Sequence, residues 1–238
     1  MTKFVAVLLA GGSGSRMGSE RPKQFLEVGG KTILEWSILV FSQHPRIDEV
    51  CIVSRADFIE DVKEIVRKGG HAKVKHVLPG GKERYDSSLA AIRAYSEDRD
   101  EVRLLLHDAV RPLVSDRIIT DCINALEHYE AVDVAIPTTD TIIQIDEEGL
   151  ICQTPARPTL RNVQTPQGFH LSTIRQAYEL ALQDPAFQTT DDCGVVFRYL
   201  PKVAIKVIEG ETTNIKITYP QDLLLMEQVL KQRSLLSF

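Results

Sequence analysis

The chain has 238 residues, of which 43% are apolar and 26% are charged, and its formal net charge is −5. This length and composition are typical of a globular domain with an ample core. The negative balance provides no overall positive field that would attract nucleic acid or an anionic membrane surface, so we expect neither partner. The apolar runs are too short to cross a membrane, and glycines interrupt the first run too early for a secretory leader, so we expect neither segment.

The four cysteines lie far apart in the sequence and form no C-x-x-C pair. They are Cys51, Cys122, Cys152 and Cys193. This usage is typical of unpaired thiols in a reducing compartment, so we expect a cytoplasmic protein.

Apolar runs of strand length alternate with amphipathic segments of helix length through the first half of the chain. The predicted strands cover 4–10, 49–54, 74–78, 102–108 and 131–137, and the predicted helices cover 31–44, 58–70, 84–97 and 115–130. The first strand, FVAVLLA, is apolar throughout, as is typical of a strand buried on both faces. The alternation predicts right-handed crossovers and an α/β fold class: a Rossmann-like, doubly wound and mostly parallel sheet.

The alternation stops from about residue 138 to residue 161. The stretch TIIQIDEEGLICQT predicts a β-hairpin that turns at 146–149. Because a two-stranded hairpin is only marginally stable alone, we expect a protruding β-arm that packs against a second subunit.

Further elements follow the predicted arm. The segment NVQTPQGF precedes a helix near LSTIRQAYELALQ. The next segments are TTDDCGVVFRYL, VAIKVIEG and a strand-like NIKIT. A last helix begins at about Tyr219 or Pro220. The prediction is therefore one domain, 1–238, with an arm.

A Gly/Ser loop follows the first strand, and two cations follow the loop. Gly11, Gly12 and Gly14 would let backbone N–H groups approach an anion, and Arg16 and Lys23 come shortly after them. This arrangement suits a triphosphate bound where a parallel sheet leaves a crevice at its strand ends.

Two common phosphate-loop patterns fail at this place. In G-x-x-x-x-G-K-[ST], the second glycine would stand five residues after Gly11 or Gly12, where the chain has Arg16 and Met17. In G-x-G-x-x-G, which would begin at Gly12, the last glycine would again fall on Met17. The failed dinucleotide pattern disfavours a nicotinamide-dependent oxidoreductase.

The stretch LLLHDAVRPLV delivers polar side chains to the end of another predicted strand. Asp108 is a candidate Mg²⁺ ligand, because this ion prefers one or two carboxylates together with phosphates. The expected role of His107 is local packing or hydrogen bonding, and that of Arg111 is to tie the loop together. Lys216, in NIKIT, would be costly to bury without an anionic partner such as a phosphate.

Seven segments in order resemble the 2-C-methyl-D-erythritol 4-phosphate cytidylyltransferase family of nucleotidyltransferases. They are LLAGGSGSRMGSERPKQF, PGGKERYDSS, HDAVRPLV, DTI, TPQGF, TDD and EGETTNIKIT, and the resemblance covers essentially the whole chain. It implies transfer of CMP from CTP to a polyol phosphate with release of pyrophosphate, dependence on Mg²⁺ or another divalent cation, and a homodimer with shared active sites. The variants LAGG and HDAVR are similar to ribitol-5-phosphate cytidylyltransferase, so ribitol 5-phosphate is an alternative acceptor.

The resemblance also implies roles for individual residues. The implied catalytic residues are Arg16, Lys23 and Lys216. The implied nucleotide-binding residues are Ala10, Gly11, Gly12, Gly14, Gly81, Arg84, Ser87, Asp108 and Ala109, with Asp108 also holding the metal. The implied acceptor-binding residues are Asp140, Thr141, Arg157, Thr165, Thr190 and Asp191, with the arginine supplied by the neighbouring subunit.

A non-enzymatic nucleotide-binding module is the competing interpretation from a different class of function. Such a module would bind CTP without turnover. Binding alone would not require the four charged residues Arg16, Lys23, Asp108 and Lys216.

Overall fold

The computed structural model describes residues 2–12, 21–97 and 101–235 of the chain. Its strands are β1 Lys3–Ala10, β2 Glu27–Val28, β3 Lys31–Thr32, β4 Glu49–Ser54, β5 Val74–Pro79, β6 Val102–Asp108, β7 Ala131–Pro137, β8 Gln144–Ile145, β9 Ile151–Gln153, β10 Arg161–His170 and β11 Ile205–Glu209. Its helices are α1 Ile33–Gln43, α2 Ile59–Gly69, α3 Arg84–Ala94, α4 Asp116–Ala125, α5 Leu171–Ala181, α6 Asp192–Tyr199 and α7 Pro220–Leu235.

Seven strands form one sheet in the order β11-β7-β10-β6-β1-β4-β5. Only β10, within the described sheet, runs antiparallel to its neighbours β6 and β7. The chain winds from β1 outward to β4 and β5 and then crosses back to β6 on the other side of β1. The predicted α/β class with a mostly parallel sheet is confirmed, and the switch point between β1 and β6 is where open sheets of this kind bind ligands.

The apolar run of β1 is buried because helices cover both faces of the sheet. Alternate residues such as Ala6 and Leu8 pack in a core with α1, α2 and α4, whereas Val5 and Val7 pack in a second core with α3, α5 and α6. A strand that is apolar at every position is therefore what this layered structure requires.

Local capping signals in the sequence explain two helix ends. The side chain of Ser115 accepts a hydrogen bond from the backbone N–H of Ile118 and starts α4, as its position before the apolar repeat predicts. Gly70 ends α2 with a positive φ of 62°, a conformation that favours glycine.

The predicted hairpin is present as β8 and β9. The two strands are joined by a turn in which Asp146 accepts hydrogen bonds from the N–H groups of Glu148 and Leu150, and Gly149 adopts a φ of 82°. All residues from 139 to 154 are exposed. The packing of this arm on a second subunit stays a prediction.

Two features differ from the sequence-based expectation. The segment NIKIT was expected to be strand-like, but 215–218 pairs with no strand, and the N–H of Ile217 instead donates to the backbone oxygen of Val110 in the loop after β6. The small hairpin of β2 and β3 was not predicted, because two-residue strands carry no readable periodicity. No described helix is both long and apolar enough to cross a membrane.

Candidate active site

A cleft of about 540 Å³ opens at the carboxyl ends of β1, β4 and β6, beside the loop that leads into α3. The residues that line it are Leu9, Ala10, Gly11, Gly12, Lys23, Gln24, Arg55, Gly81, Lys82, Glu83, Arg84, Ser87, Asp108, Val110 and Lys216. The cleft thus lies at the switch point of the sheet and combines a glycine loop with several cations.

Most of the residues implied for catalysis and nucleotide binding meet in this cleft. They are Ala10, Gly11, Gly12, Lys23, Gly81, Arg84, Ser87, Asp108 and Lys216. Ala109 is fully buried beside the cleft, where its N–H donates to the backbone oxygen of Leu9. Gly14 and Arg16 lie outside the described residues, so their roles stay predictions.

The carboxylate of Asp108 lies among three cations. Its Oδ2 is 3.0 Å from Nζ of Lys216 and 3.5 Å from Nε of Arg111, and its Oδ1 is 4.0 Å from Nε of Arg84. Burial alone would raise the pKa of Asp108, but the neighbouring positive charges outweigh burial and lower the pKa to about 2. The group is therefore ionised at neutral pH, and the cleft around it keeps a local positive excess.

The backbone that carries Asp108 is held by a buried chain of hydrogen bonds. Because the backbone oxygen of Arg111 can only accept, Nε2 of His107 carries the ring proton and donates to it at 3.0 Å. Nδ1 of His107 then accepts from the hydroxyl of Thr165 at 3.0 Å, and that hydroxyl accepts from the N–H of Asp108 at 3.1 Å. Burial lowers the pKa of His107 to about 4, so the ring is neutral and acts structurally, as expected.

Arg111 ties the loop bearing Lys216 to the sheet, as the sequence predicts. Its Nη1 donates to the backbone oxygen of Asn214 at 2.8 Å. The fully buried Asn214 in turn donates from Nδ2 to the backbone oxygen of Thr165 at 2.9 Å. The irregular loop is thereby fixed without strand pairing, two residues before Lys216.

The glycine loop is shaped by Gln24 and by close packing. Nε2 of the buried Gln24 donates to the backbone oxygen of Ala10 at 2.7 Å, next to the buried Lys23 in the one-turn 3₁₀ helix Lys23–Phe25. A Cβ at Gly80 would lie 2.5 Å from Oγ of Ser87, which explains the glycine there. A Cβ at Gly11 would lie 3.3 Å from the same Oγ, so Ser87 packs against both the glycine loop and the loop before α3.

The implied acceptor-binding residues lie apart from the described lining of the cleft. Asp140, Thr141 and Arg157 are exposed on the arm, where Nη1 of Arg157 donates to the backbone oxygen of Thr139 at 3.4 Å. Thr165 is buried beneath Asp108, as described above. Thr190 is exposed, and the carboxylate of Asp191 accepts from the N–H of Gly194 at 2.9 Å and caps α6. None of these six residues belongs to the described lining of the cleft.

Sequence reasoning missed several polar residues at the site. Arg55, Lys82 and Glu83 line the cleft, and Asp192 accepts a hydrogen bond from Arg84. A usable signal existed for Arg55, because it directly follows β4 and so lies at the same carboxyl edge as the glycine loop. Nothing local in the sequence indicated that Asp192 would reach Arg84, 108 residues away.

The chain is similar to curated proteins of two related kinds. It is 47% identical to a 2-C-methyl-D-erythritol 4-phosphate cytidylyltransferase of Thermobifida fusca, over 96% of this chain and 94% of the relative. It is also 42% identical to a bifunctional ribulose 5-phosphate reductase/CDP-ribitol pyrophosphorylase of Haemophilus influenzae, over 98% of this chain and 49% of the relative. The chain thus spans about half the length of this second protein.

Solved structures share the fold over nearly the whole chain. A 4-diphosphocytidyl-2C-methyl-D-erythritol synthase of Anaerococcus prevotii superposes with a TM-score of 0.83 at 32% identity, covering 97% of this chain and 96% of that one. The model of the 2-C-methyl-D-erythritol 4-phosphate cytidylyltransferase family matches residues 4–232. The chain therefore belongs to the 2-C-methyl-D-erythritol 4-phosphate cytidylyltransferase family.

Proposed function

We propose that the cleft between β1, β6 and α3 is where this cytidylyltransferase transfers CMP from CTP to 2-C-methyl-D-erythritol 4-phosphate, a step of isoprenoid precursor synthesis. The observation that carries the proposal is the meeting of Gly11, Gly12, Lys23, Lys216 and Asp108 around one cleft. Glycine backbone and converging cations suit a nucleoside triphosphate. The competing interpretation as a binding module predicts CTP binding without turnover.

The transfer needs positioning and charge stabilisation rather than a general base. A phosphate oxygen of the acceptor, already anionic, attacks the α-phosphorus of CTP, and the bond from that phosphorus to the β-bridging oxygen breaks, so that pyrophosphate leaves. Lys23 and Lys216 stabilise the developing negative charge, together with Arg16 by the family resemblance. The neutral His107 beneath the cleft fits this scheme, because it is fully buried and no proton needs to be removed.

The donor set of the cleft fits a divalent cation held jointly with the triphosphate. No group of three or more metal-binding side chains occurs among the described residues. Asp108 offers one ionised carboxylate, and Mg²⁺ typically takes one or two carboxylates and completes its shell with phosphate oxygens and water. Asp108 would hold the ion, which would neutralise phosphate charge when bound. Asp108→Asn should raise the Mg²⁺ concentration needed for half-maximal rate. An unchanged dependence of the rate on Mg²⁺ would show that Asp108 does not bind the metal ion.

The acceptor is tested by pyrophosphate release from CTP with each polyol phosphate in turn. We expect 2-C-methyl-D-erythritol 4-phosphate to give the higher kcat/KM. Ribitol 5-phosphate is the second candidate, because the relative from Haemophilus influenzae is 42% identical over 98% of the chain. A higher kcat/KM with ribitol 5-phosphate would overturn the assigned acceptor but not cytidylyl transfer. If CTP binds but no pyrophosphate is released with either acceptor, the result would favour the non-enzymatic binding module.

The proposal includes a homodimer with shared active sites, located in the cytoplasm. Exposed apolar side chains on the arm, Ile143, Ile145 and Ile151 among them, support an interface there. The four cysteines are free, and burial raises the pKa of Cys51 to about 12, so this thiol is inert. Unreactive, unpaired cysteines are typical of a reducing compartment.

A further inference from the structure

The two adjacent aspartates at the start of α6 face different partners. Both carboxylate oxygens of Asp191 accept hydrogen bonds: Oδ1 from the N–H of Gly194 in its own helix at 2.9 Å, and Oδ2 from Nε2 of Gln167 on β10 at 2.8 Å. Asp192 is the next residue and points into the interior. Asp191 therefore caps α6, whereas the carboxylate of Asp192 contacts residues outside this helix.

The carboxylate of Asp192 has no exposed surface, and both its oxygens accept hydrogen bonds. Oδ2 accepts from Nη1 of Arg84 at 2.5 Å, and Oδ1 accepts from the hydroxyl of Tyr178 at 2.6 Å. The backbone N–H of Asp192 donates to Oε1 of Gln167 at 3.1 Å, which anchors it to β10. A buried charge is tolerated only when it is paired and hydrogen-bonded, so the contacts with Arg84 and Tyr178 fix the position of this carboxylate.

Arg84 lies between a buried carboxylate and a carboxylate of the cleft. Its side chain lines the cleft and is 30% exposed, with Nη1 on Asp192 and Nε 4.0 Å from Oδ1 of Asp108. Burial would lower the pKa of Arg84, but the charges of Asp192 and Asp108 outweigh it and raise the pKa above its usual value. The two carboxylates compete for one guanidinium, and Asp192 makes the shorter contact.

We propose that Asp192 is a positioning residue for cytidylyl transfer, which holds Arg84 at the floor of the cleft and keeps it from pairing closely with Asp108. This inference rests on the proposed function. Without the charge of Asp192, Asp108 is the nearest carboxylate left to Arg84, so the guanidinium moves towards it. Arg84 then leaves its place beside the nucleotide, and Asp108 becomes a poorer partner for a metal ion. Small displacements of such groups cost about a hundredfold in rate.

The test compares two variants that each disturb the same buried carboxylate. Asp192→Asn keeps the shape and removes the charge that holds Arg84, whereas Tyr178→Phe removes one hydrogen bond to Asp192 and leaves the ion pair intact. We expect Asp192→Asn to raise the KM for CTP at least tenfold and to raise the Mg²⁺ concentration for half-maximal rate, with an acceptor KM within about twofold of wild type. Tyr178→Phe should change the KM for CTP by less than about threefold. Melting temperatures are measured for both.

A merely structural role for Asp192 predicts a different pattern. Both variants would then lower the melting temperature and leave the KM for CTP unchanged, which would overturn the proposal. An Asp192→Asn protein that raises both KM values equally would also overturn it. If Asp192→Asn does not fold, Asp192→Glu, which keeps the charge and shifts it by one methylene, must still raise the KM for CTP, and an unchanged KM counts against the proposal.

A double-mutant cycle with Arg84→Met tests whether Asp192 acts through Arg84. In the Arg84→Met background, Asp192→Asn should add little to the KM for CTP, because the group that it positions is gone. Fully additive effects would overturn the proposal. CTP binding is also measured without acceptor, so that an error in the assigned acceptor, which alters only turnover, is distinguished from failure of this inference.

Discussion

Individual side chains make the cleft positive although the whole chain carries a net charge of −5. Lys216, Arg84 and Arg111 lie within 4.0 Å of the single charge of Asp108. An anion in this cleft would therefore be bound by a few nearby side chains and not by a long-range field, so single substitutions should have large effects on activity and small effects on stability.

Replacement of Lys23 should affect turnover more than folding. Lys23 lines the cleft, and loss of one group that stabilises developing charge typically costs about 10²–10³ in rate. We expect Lys23→Ala to lower kcat by that order and to keep its circular dichroism spectrum. Lys31→Ala, which removes a lysine paired with Glu35 outside the cleft, is the control and should keep wild-type turnover. Wild-type turnover in Lys23→Ala would show that the triphosphate binds elsewhere.

Asp133 on β7 gives a prediction about stability and pH. Burial raises its pKa to about 6, above the value of about 4 in an unfolded chain. The folded protein therefore binds this proton more tightly, and the contribution of Asp133 to stability increases as the pH falls from about 6 to about 4. Asp133→Asn should melt about 5–10 °C higher than wild type at pH 8, and this difference should disappear towards pH 4. Glu147→Gln on the exposed arm is the control, and a pH-independent difference for Asp133→Asn would refute the charge effect.

At the scale of elements, no part of the chain that the structure describes covers the apolar side chains on the arm of β8 and β9. Ile145 and Ile151 are 57% and 62% exposed. The described hairpin is only a few residues long, and hairpins of this kind need a packing surface to be stable. A second copy of the arm would supply such a surface, since a twofold axis brings the same patch of each subunit together.

A charge placed on the arm should therefore separate the subunits. We expect Ile145→Asp to convert a dimer into a monomer in light-scattering measurements after size-exclusion chromatography. Phe197→Asp is the matched control, because Phe197 is 75% exposed on α6, outside the arm, and its variant should remain dimeric. If the Ile145→Asp protein remains a dimer, the arm does not form the interface.

At the scale of the whole molecule, three of the residues implied for acceptor binding lie away from the cleft of their own chain. Asp140, Thr141 and Arg157 lie on the exposed arm, and none belongs to the described lining of the cleft. A partner subunit that packs against the arm would bring its own cleft to these residues. The active unit would then be the dimer.

Mixed dimers test this arrangement directly. Arg157→Ala and Lys23→Ala should each be inactive alone as homodimers. In a mixed dimer one site carries both substitutions and the other carries neither, so about half of the native activity per mixed dimer should return. Subunit exchange is verified with differently tagged chains. Exchange without recovered activity would place Arg157 at the site of its own chain.

Features set by local sequence were predictable, because their causes lie within a few residues. The apolar run of β1, the cap at Ser115, the glycine end of α2 at Gly70 and the turn at 146–149 were all read correctly. The segment NIKIT was wrongly predicted to be strand-like, because its apolar residues alternate as in a strand. Its backbone is instead held by hydrogen bonds to Val110 and Arg111 in the loop after β6.

The sequence by itself determined the α/β fold, the family and some of the charged residues of the cleft, Lys23, Asp108 and Lys216 among them, because strand–helix alternation and ordered motifs are local properties of the chain. Only the tertiary structure decided that the ring of His107 is neutral, that Asp191 accepts a hydrogen bond from Gln167, and that Asp192 pairs with Arg84. These roles depend on which side chains meet across 24 to 108 residues of sequence and on how deeply they are buried. Burial and contact distance set hydrogen bonding and ionisation, and both arise only when the sheet and its helices come together.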